Sequence, residues 1–289
     1  MGNSGVRGGF PQPPNPPPRP HRQRRPDRSY TEDGSMRLPA CLALLLVPWP
    51  SNAWDTAPHQ RITKAALDTT PQRLLDRLGT EATSLVEIYC IYPDLYEEME
   101  RYGFVRRGPG PRSVAEIRQY CVRSDGRPVH GATGDRDVDL GSLVFLFERM
   151  VTNLSEKRPA ETAKHAGVLS HFIADSLSPP HAIDPQELLD LAGGVNVHSA
   201  IERSIPAFNL GDRAPRDVGA HILTAAEAIL EQVYAGAAQN RRDLPAMVKA
   251  LRSHDEGALD AFRLRAGTRA AEILADAFYT ISRMSEPAR

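Results

Sequence analysis

The sequence predicts an all-α fold over residues 54–289, a single multi-helix domain. Three observations predict it. Apolar residues recur at helical spacing through most of this stretch. No run alternates apolar and polar residues between hairpin turns. Clusters of Pro and Gly at 103–112, 178–185 and 205–216 divide the pattern into helix-length pieces. The chain has 289 residues, 41% hydrophobic and 25% charged, which suits one large domain or two small ones. A formal net charge of -1 gives no bulk electrostatic reason to expect a nucleic-acid or membrane partner.

Residues 1–35 are Pro-rich and basic, with almost nothing apolar to bury, and are expected to be disordered. Met36 opens a different pattern. Met36-Arg37 supplies positive charge, residues 38–49 form an apolar run, and Ser51 and Ala53 place small side chains at the −3 and −1 positions of a cut before Trp54. Residues 36–53 thus read as a secretory signal peptide, with a buried apolar strand or helix as the alternative. The run is too short to span a bilayer. It follows Cys41 rather than preceding it, which argues against a lipoprotein box. A signal peptide stands at the extreme N-terminus, so residues 1–35 read either as an extension upstream of a true start at Met36 or as a long basic n-region. Two cysteines remain after processing, Cys90 and Cys121. Export would permit a disulfide between them, worth roughly 3–4 kcal/mol for a loop of about 30 residues; two free buried thiols are the other option.

Beyond Trp54 the helices follow in order. Ile62, Ala65, Ala66 and Leu67 share one face of the first. Residues 142–150 and 163–177 are apolar helices, and amphipathic segments are expected at 215–236, 243–253 and 257–283. In the last, Leu259, Phe262, Ala266, Ala270, Ile273, Ala277 and Ile281 repeat at helical spacing. Eight to eleven helices are expected in all.

The chemistry concentrates in residues 165–202. His171 and Asp175 stand one helical turn apart, so an imidazole nitrogen and a carboxylate oxygen can converge on one metal ion. One such pair is weak evidence, because most are solvated surface partners. Here Val168, Leu169, Phe172 and Ile173 flank the pair, which turns it inward, where buried His and Asp need partners or a metal. Pro179-Pro180 stops the helix and brings His181 to its end. His198 and Glu202 then repeat the i, i+4 geometry.

The segment 171–182, HFIADSLSPPHA, resembles the signature of the zinc-dependent phospholipase C and S1/P1 nuclease superfamily. The resemblance extends over most of the chain beyond residue 54. Trp54 matches the family's N-terminal Trp ligand, His59 its first-helix ligand, Asp94 the Asp after the second helix, and His130 the His before the next long helix. The gap from Asp94 to His130 is longer than the family usually shows. His21, His165, His221 and His254 match no ligand position and read as surface or core residues.

The resemblance implies an all-α domain with a buried site for three zinc ions. One would be held by Asp94, His130, His171 and Asp175. A second would take the Trp54 amine and carbonyl, His59 and Asp175. The third would take His181, His198 and Glu202. It further implies phosphodiester hydrolysis by water activated between two ions that share Asp175, with Asp94 as general base. Glu202 as the last ligand matches the phospholipase branch, whereas the five-residue step from Trp54 to His59 matches the nuclease branch. Leu95 stands where the phospholipase branch carries an aromatic, a place Tyr96 would have to fill. Phospholipid or another phosphodiester is the expected substrate, with peripheral membrane contact. Nucleic acid is the substrate under the alternative, and no protein partner is implied. A metal-stabilised module without catalysis is the non-enzyme reading.

Overall fold

The computed structural model describes residues 55–103, 111 and 113–286, all within one unit spanning Trp49–Arg289. The predicted signal peptide, Cys41 and Trp54 lie outside the described residues, as does most of the loop expected at 103–112. Among the described residues there is no strand, only an isolated bridge between Val122 and Pro128. The all-α expectation therefore holds. Eleven α-helices are seen among these residues: α1 (Thr56–Asp68), α2 (Gln72–Leu78), α3 (Glu81–Glu87), α4 (Tyr92–Tyr102), α5 (Val114–Cys121), α6 (Arg136–Ser155), α7 (Pro159–Ser176), α8 (Pro185–Ala192), α9 (Val197–Glu202), α10 (Ile222–Arg252) and α11 (Glu256–Met284). Short 3-10 turns at Tyr89–Ile91 and Pro179–Ala182 precede α4 and follow α7.

Helix α7 is the axis of the molecule. It starts at Pro159, whose missing N–H costs nothing in the first turn. From His165 to Ser176 every residue is buried. A helix buried on all sides needs neighbours all round, and α1, α3, α4, α6 and α11 pack against it. The polar residues of this stretch, including His171 and Asp175, are thereby sealed into the core. A second, smaller core of Leu188, Val197, Ile201, Leu244, Met247 and Leu259 lies beneath α8 and α9.

Two expectations need correction. The segments expected at 215–236 and 243–253 form one helix, α10, which runs through Pro245. Proline frees the carbonyl one turn earlier. Here that is Arg241, and both residues are exposed, so water can satisfy the carbonyl. The apolar stripe also continues across the break, from Ile229 and Val233 in the main core to Leu244 and Met247 in the second. The helix starts at Ile222 rather than 215 because α11 holds the preceding backbone extended. Buried Asp276 accepts from Arg216 N at 2.8 Å and from Arg213 Nη2 at 2.8 and 2.9 Å, while Val218 N donates to Thr280 Oγ1 at 3.1 Å.

Of the two cysteine options, the disulfide is not formed. Cys90 and Cys121 are free and buried, and Cys90 Sγ donates to the Val86 carbonyl at 3.0 Å. Burial pushes the Cys90 thiol up to about 12 and the Cys121 thiol up as well, which leaves both unreactive.

Candidate metal centre

His59, on the first turn of α1, is fully buried. Its helix starts because the Asp55 side chain accepts from Thr56 N, and the Asp55 N–H donates to the Glu202 carbonyl at 2.9 Å. Asp94 stands in the first turn of α4, where the helix dipole favours a carboxylate. His171 and Asp175 come from α7, His181 from the 3-10 turn after it, and His198 and Glu202 from α9.

His130 arrives by a route the sequence does not announce. A tight turn after α5 is closed by bonds from Arg123 N to the Arg127 carbonyl (2.9 Å) and Val129 N to the Cys121 carbonyl (2.7 Å). The chain then runs along α7, and Ala132 N donates to Ser176 Oγ at 2.8 Å. Gly131 eases this approach, since a Cβ there would lie 3.2 Å from Asp175 Cβ, a tight contact. The turn returns His130 to the core despite the long gap from Asp94.

These side chains meet in three groups: His59, His171 and Asp175; Asp94, His130 and His171; and His181, His198 and Glu202. Within each, one ligand atom per residue lies within 4.8 Å of the others. Asp175 faces two ways. Its Oδ1 is 3.2 Å from His59 Nε2, and its Oδ2 is 3.0 Å from both His171 Nε2 and His130 Nε2. Asp94 Oδ1 lies 3.7 Å from His130 Nε2 and 3.8 Å from His171 Nε2. In the third group Glu202 spans His181 Nε2 at 3.1 Å and His198 Nδ1 at 3.2 Å. The His59 and His171 rings stack with centroids 4.1 Å apart.

Whether this set fits cations can be judged from its unpaired atoms. Asp94 Oδ1, both Asp175 oxygens and both His59 ring nitrogens are buried without a hydrogen-bond partner of proper geometry. Buried polar atoms of this kind are costly unless something else satisfies them. The His171 and His130 Nε2 atoms lie 3.4 Å apart. A tetrahedral ion with bonds of about 2.0–2.1 Å sets its ligand atoms roughly 3.3 Å apart, and the separations here run from 3.0 to 3.8 Å. These buried His, Asp and Glu groups could hold metal ions.

The electrostatics of the bare side chains point the same way. Burial raises the Asp94 carboxyl to about 6, against the opposing pull of His171 and His130. Burial disfavours charge on His130, but its contact with Asp175 and the charges of Asp175, Asp94 and Glu97 outweigh this and lift it to about 9. Burial lowers His171. Burial would raise Asp175, yet His171, His130 and His59 hold it well below the usual carboxylate range. Burial also opposes charge on His181, and the bond to Glu202 raises it on balance. The carboxylates here demand positive charge, and a metal would supply it without protonating its ligands.

Several supporting groups carry no sequence signature. The Cys90 carbonyl lies 3.0 Å from His171 Nδ1. Fully buried Ser178 donates to Glu202 Oε1 at 2.8 Å. Glu97 Oε2 is 3.9 Å from His130 Nδ1. Buried Asp139 gathers Thr133 N, Thr133 Oγ1, Gly134 N and Tyr234 OH within 2.7–3.0 Å and so ties down the segment after His130. Of these, only Ser178 could have been suspected, because it lies between two predicted ligands. His165 is a core residue, and neither His221 nor His254 joins any group.

Comparison of the chain with family models, curated proteins and solved structures finds no match.

Proposed function

We propose that this protein is a metal-dependent phosphoric diester hydrolase. More narrowly, we read it as an exported zinc enzyme of the phospholipase C type. One observation supports this above all. Eight side chains drawn from six separate segments, each matching a ligand position of the resembled superfamily, converge into three groups, of which the third runs from buried Glu202 to exposed His181. Side chains picked for a mere sequence likeness have no reason to meet.

In this reading Asp94, His130, His171 and Asp175 hold one zinc ion, His59 and Asp175 a second with the Trp54 amine and carbonyl, and His181, His198 and Glu202 a third. When bound, the ions supply acidity to water and positive charge to the phosphoryl oxygens. The chain's own residues do the rest. Asp175 holds the first two groups at a fixed spacing through its two oxygens. Asp94 would act as general base, taking the proton of the attacking water as its oxygen bonds to phosphorus. The Cys90 carbonyl and Ser178 keep His171 and Glu202 oriented.

The Trp54 role requires cleavage before Trp54, because only a free terminus offers an amine. A chain that keeps Ala53 is expected to lose most of its activity. Glu202 as the last ligand and the absence of a basic excess favour phospholipid over nucleic acid. Contact with the bilayer would be peripheral, and no helix among the described residues is long and apolar enough to cross a membrane. The test is a parallel assay of the purified protein on phosphatidylcholine and single-stranded DNA, with and without chelator. Chelator-sensitive release of the phosphorylated head group is the expected result. Turnover of DNA alone moves the protein to the nuclease branch, and zinc without turnover of either makes it a non-catalytic module.

A further inference from the structure

A second feature lies at the opposite end of α7, about 14 Å or more along the helix axis from His171. It is a cavity of about 850 Å³ between the start of α2, the α6–α7 turn and the end of α11. That volume falls in the range of about 300–1,000 Å³ common for small-molecule sites. Its wall is apolar, formed by Leu154, Pro159, Thr162 and the aliphatic stems of long basic residues. Its charge is one-sided. Among the described residues, Arg73, Arg77, Lys157 and Arg158 line it against one carboxylate, Glu286.

Glu286 is already engaged by Arg73 at 2.6 Å, and Arg158 pairs outward with Glu156 at 3.0 Å. Arg77 donates to the Ser285 hydroxyl at 2.8 Å and also feels the charge of Glu286. Neither Arg77 nor Lys157 has an ion-pair partner among the described residues. Lys157 adopts φ 56, a backbone state that favours glycine, yet it places a cation at the cavity. Clustered cations above an apolar wall suit a ligand with one anionic head and one apolar tail, because guanidinium groups bind carboxylate and phosphate through charge-assisted bonds. A polyanion would leave the apolar wall uncovered.

We propose that this cavity binds a single-chain anionic amphiphile, an acyl or alkyl tail with a carboxylate or phosphate head. The site is separate from the metal groups, and the inference does not rest on their chemistry. The test is isothermal titration of the full chain with palmitate and with dodecyl phosphate. Acetate, inorganic phosphate and dodecanol serve as head-only and tail-only probes. One amphiphile or both should bind at one per chain, and the Arg77→Gln/Lys157→Gly variant should bind at least ten-fold more weakly. Metal content should not change. Lys157→Gly alone relieves the backbone at 157 and so keeps the fold; it should weaken binding several-fold if the double variant is unstable. The proposal is overturned if neither amphiphile binds, if a head-only or tail-only probe binds as tightly, or if the folded variants bind undiminished.

Discussion

The carbonyl oxygen of Cys90 lies 3.0 Å from Nδ1 of His171. The contact assigns the proton to Nδ1 and leaves the Nε2 lone pair facing Asp175 and His130. It exists because the Tyr89–Ile91 turn can press against α7, and that approach depends on a residue one turn before His171. A Cβ at Gly167 would lie 2.3 Å from the Tyr89 carbonyl carbon and oxygen.

Gly167→Ala is therefore expected to push the turn away and release His171. The obstacle is backbone, which cannot swing aside, so a cost of about 1–3 kcal/mol or more is expected despite alanine's better helix propensity. Denaturant midpoint and bound metal should fall together. An unchanged midpoint would show that the turn does not seat the helix as described.

Ser178→Ala removes the donor to Glu202 Oε1. Orienting partners of metal ligands typically contribute about 10–100-fold in affinity. Chelator competition should show one class of site weakened by that order, with the metals nearer Asp175 unaffected. Uniform weakening of all sites would contradict a local role.

How much of this was legible in the sequence follows from the kind of signal each part leaves. The buried pair His171 and Asp175 was legible because spacing and apolar flanks both survive in one short segment. His198 and Glu202 were legible by spacing alone. His130 was placed by likeness only, because a loop residue has no periodicity and its return depends on main-chain bonds such as Val129 N to the Cys121 carbonyl. The Cys90 carbonyl and Gly167 left no trace, since one is a backbone group and the other acts by lacking a side chain. The continuity of α10 was hidden because residues 237–242 carry no large apolar side chain, so the helical pattern lapses between the two expected segments while the helix runs on.

Asp139→Asn tests the segment after His130. The carboxylate accepts from Thr133 N, Thr133 Oγ1 and Gly134 N, and from Tyr234 OH. An amide offers one oxygen and turns an NH2 toward groups that are themselves donors, at about 1–3 kcal/mol. Hydrogen exchange at residues 131–134 should accelerate well beyond that in α11. Equal acceleration in both would mean general destabilisation instead.

His165 predicts the acid response. Burial holds its imidazole down at about 4. Nδ1 lies 2.8 Å from the Glu161 carbonyl, and the buried Nε2 has no partner, which suits the neutral ring. The unfolded chain takes up this proton near pH 6.5, the folded chain only near 4. This contribution to stability is complete above pH 6.5 and is lost as pH falls through the window to 4, by about 3 kcal/mol in total. His165→Gln should flatten the fall in denaturant midpoint between pH 7 and pH 5. A slope identical to that of the unaltered protein would remove His165 from the account.

The central claim, that the three groups hold zinc, is tested most directly by an anomalous difference map at the zinc edge from crystals of the protein processed to begin at Trp54. The account predicts three peaks: one beside His59 and Asp175, one among Asp94, His130 and His171, and one among His181, His198 and Glu202. A map with no peak at these side chains, from zinc-supplemented crystals, would contradict it.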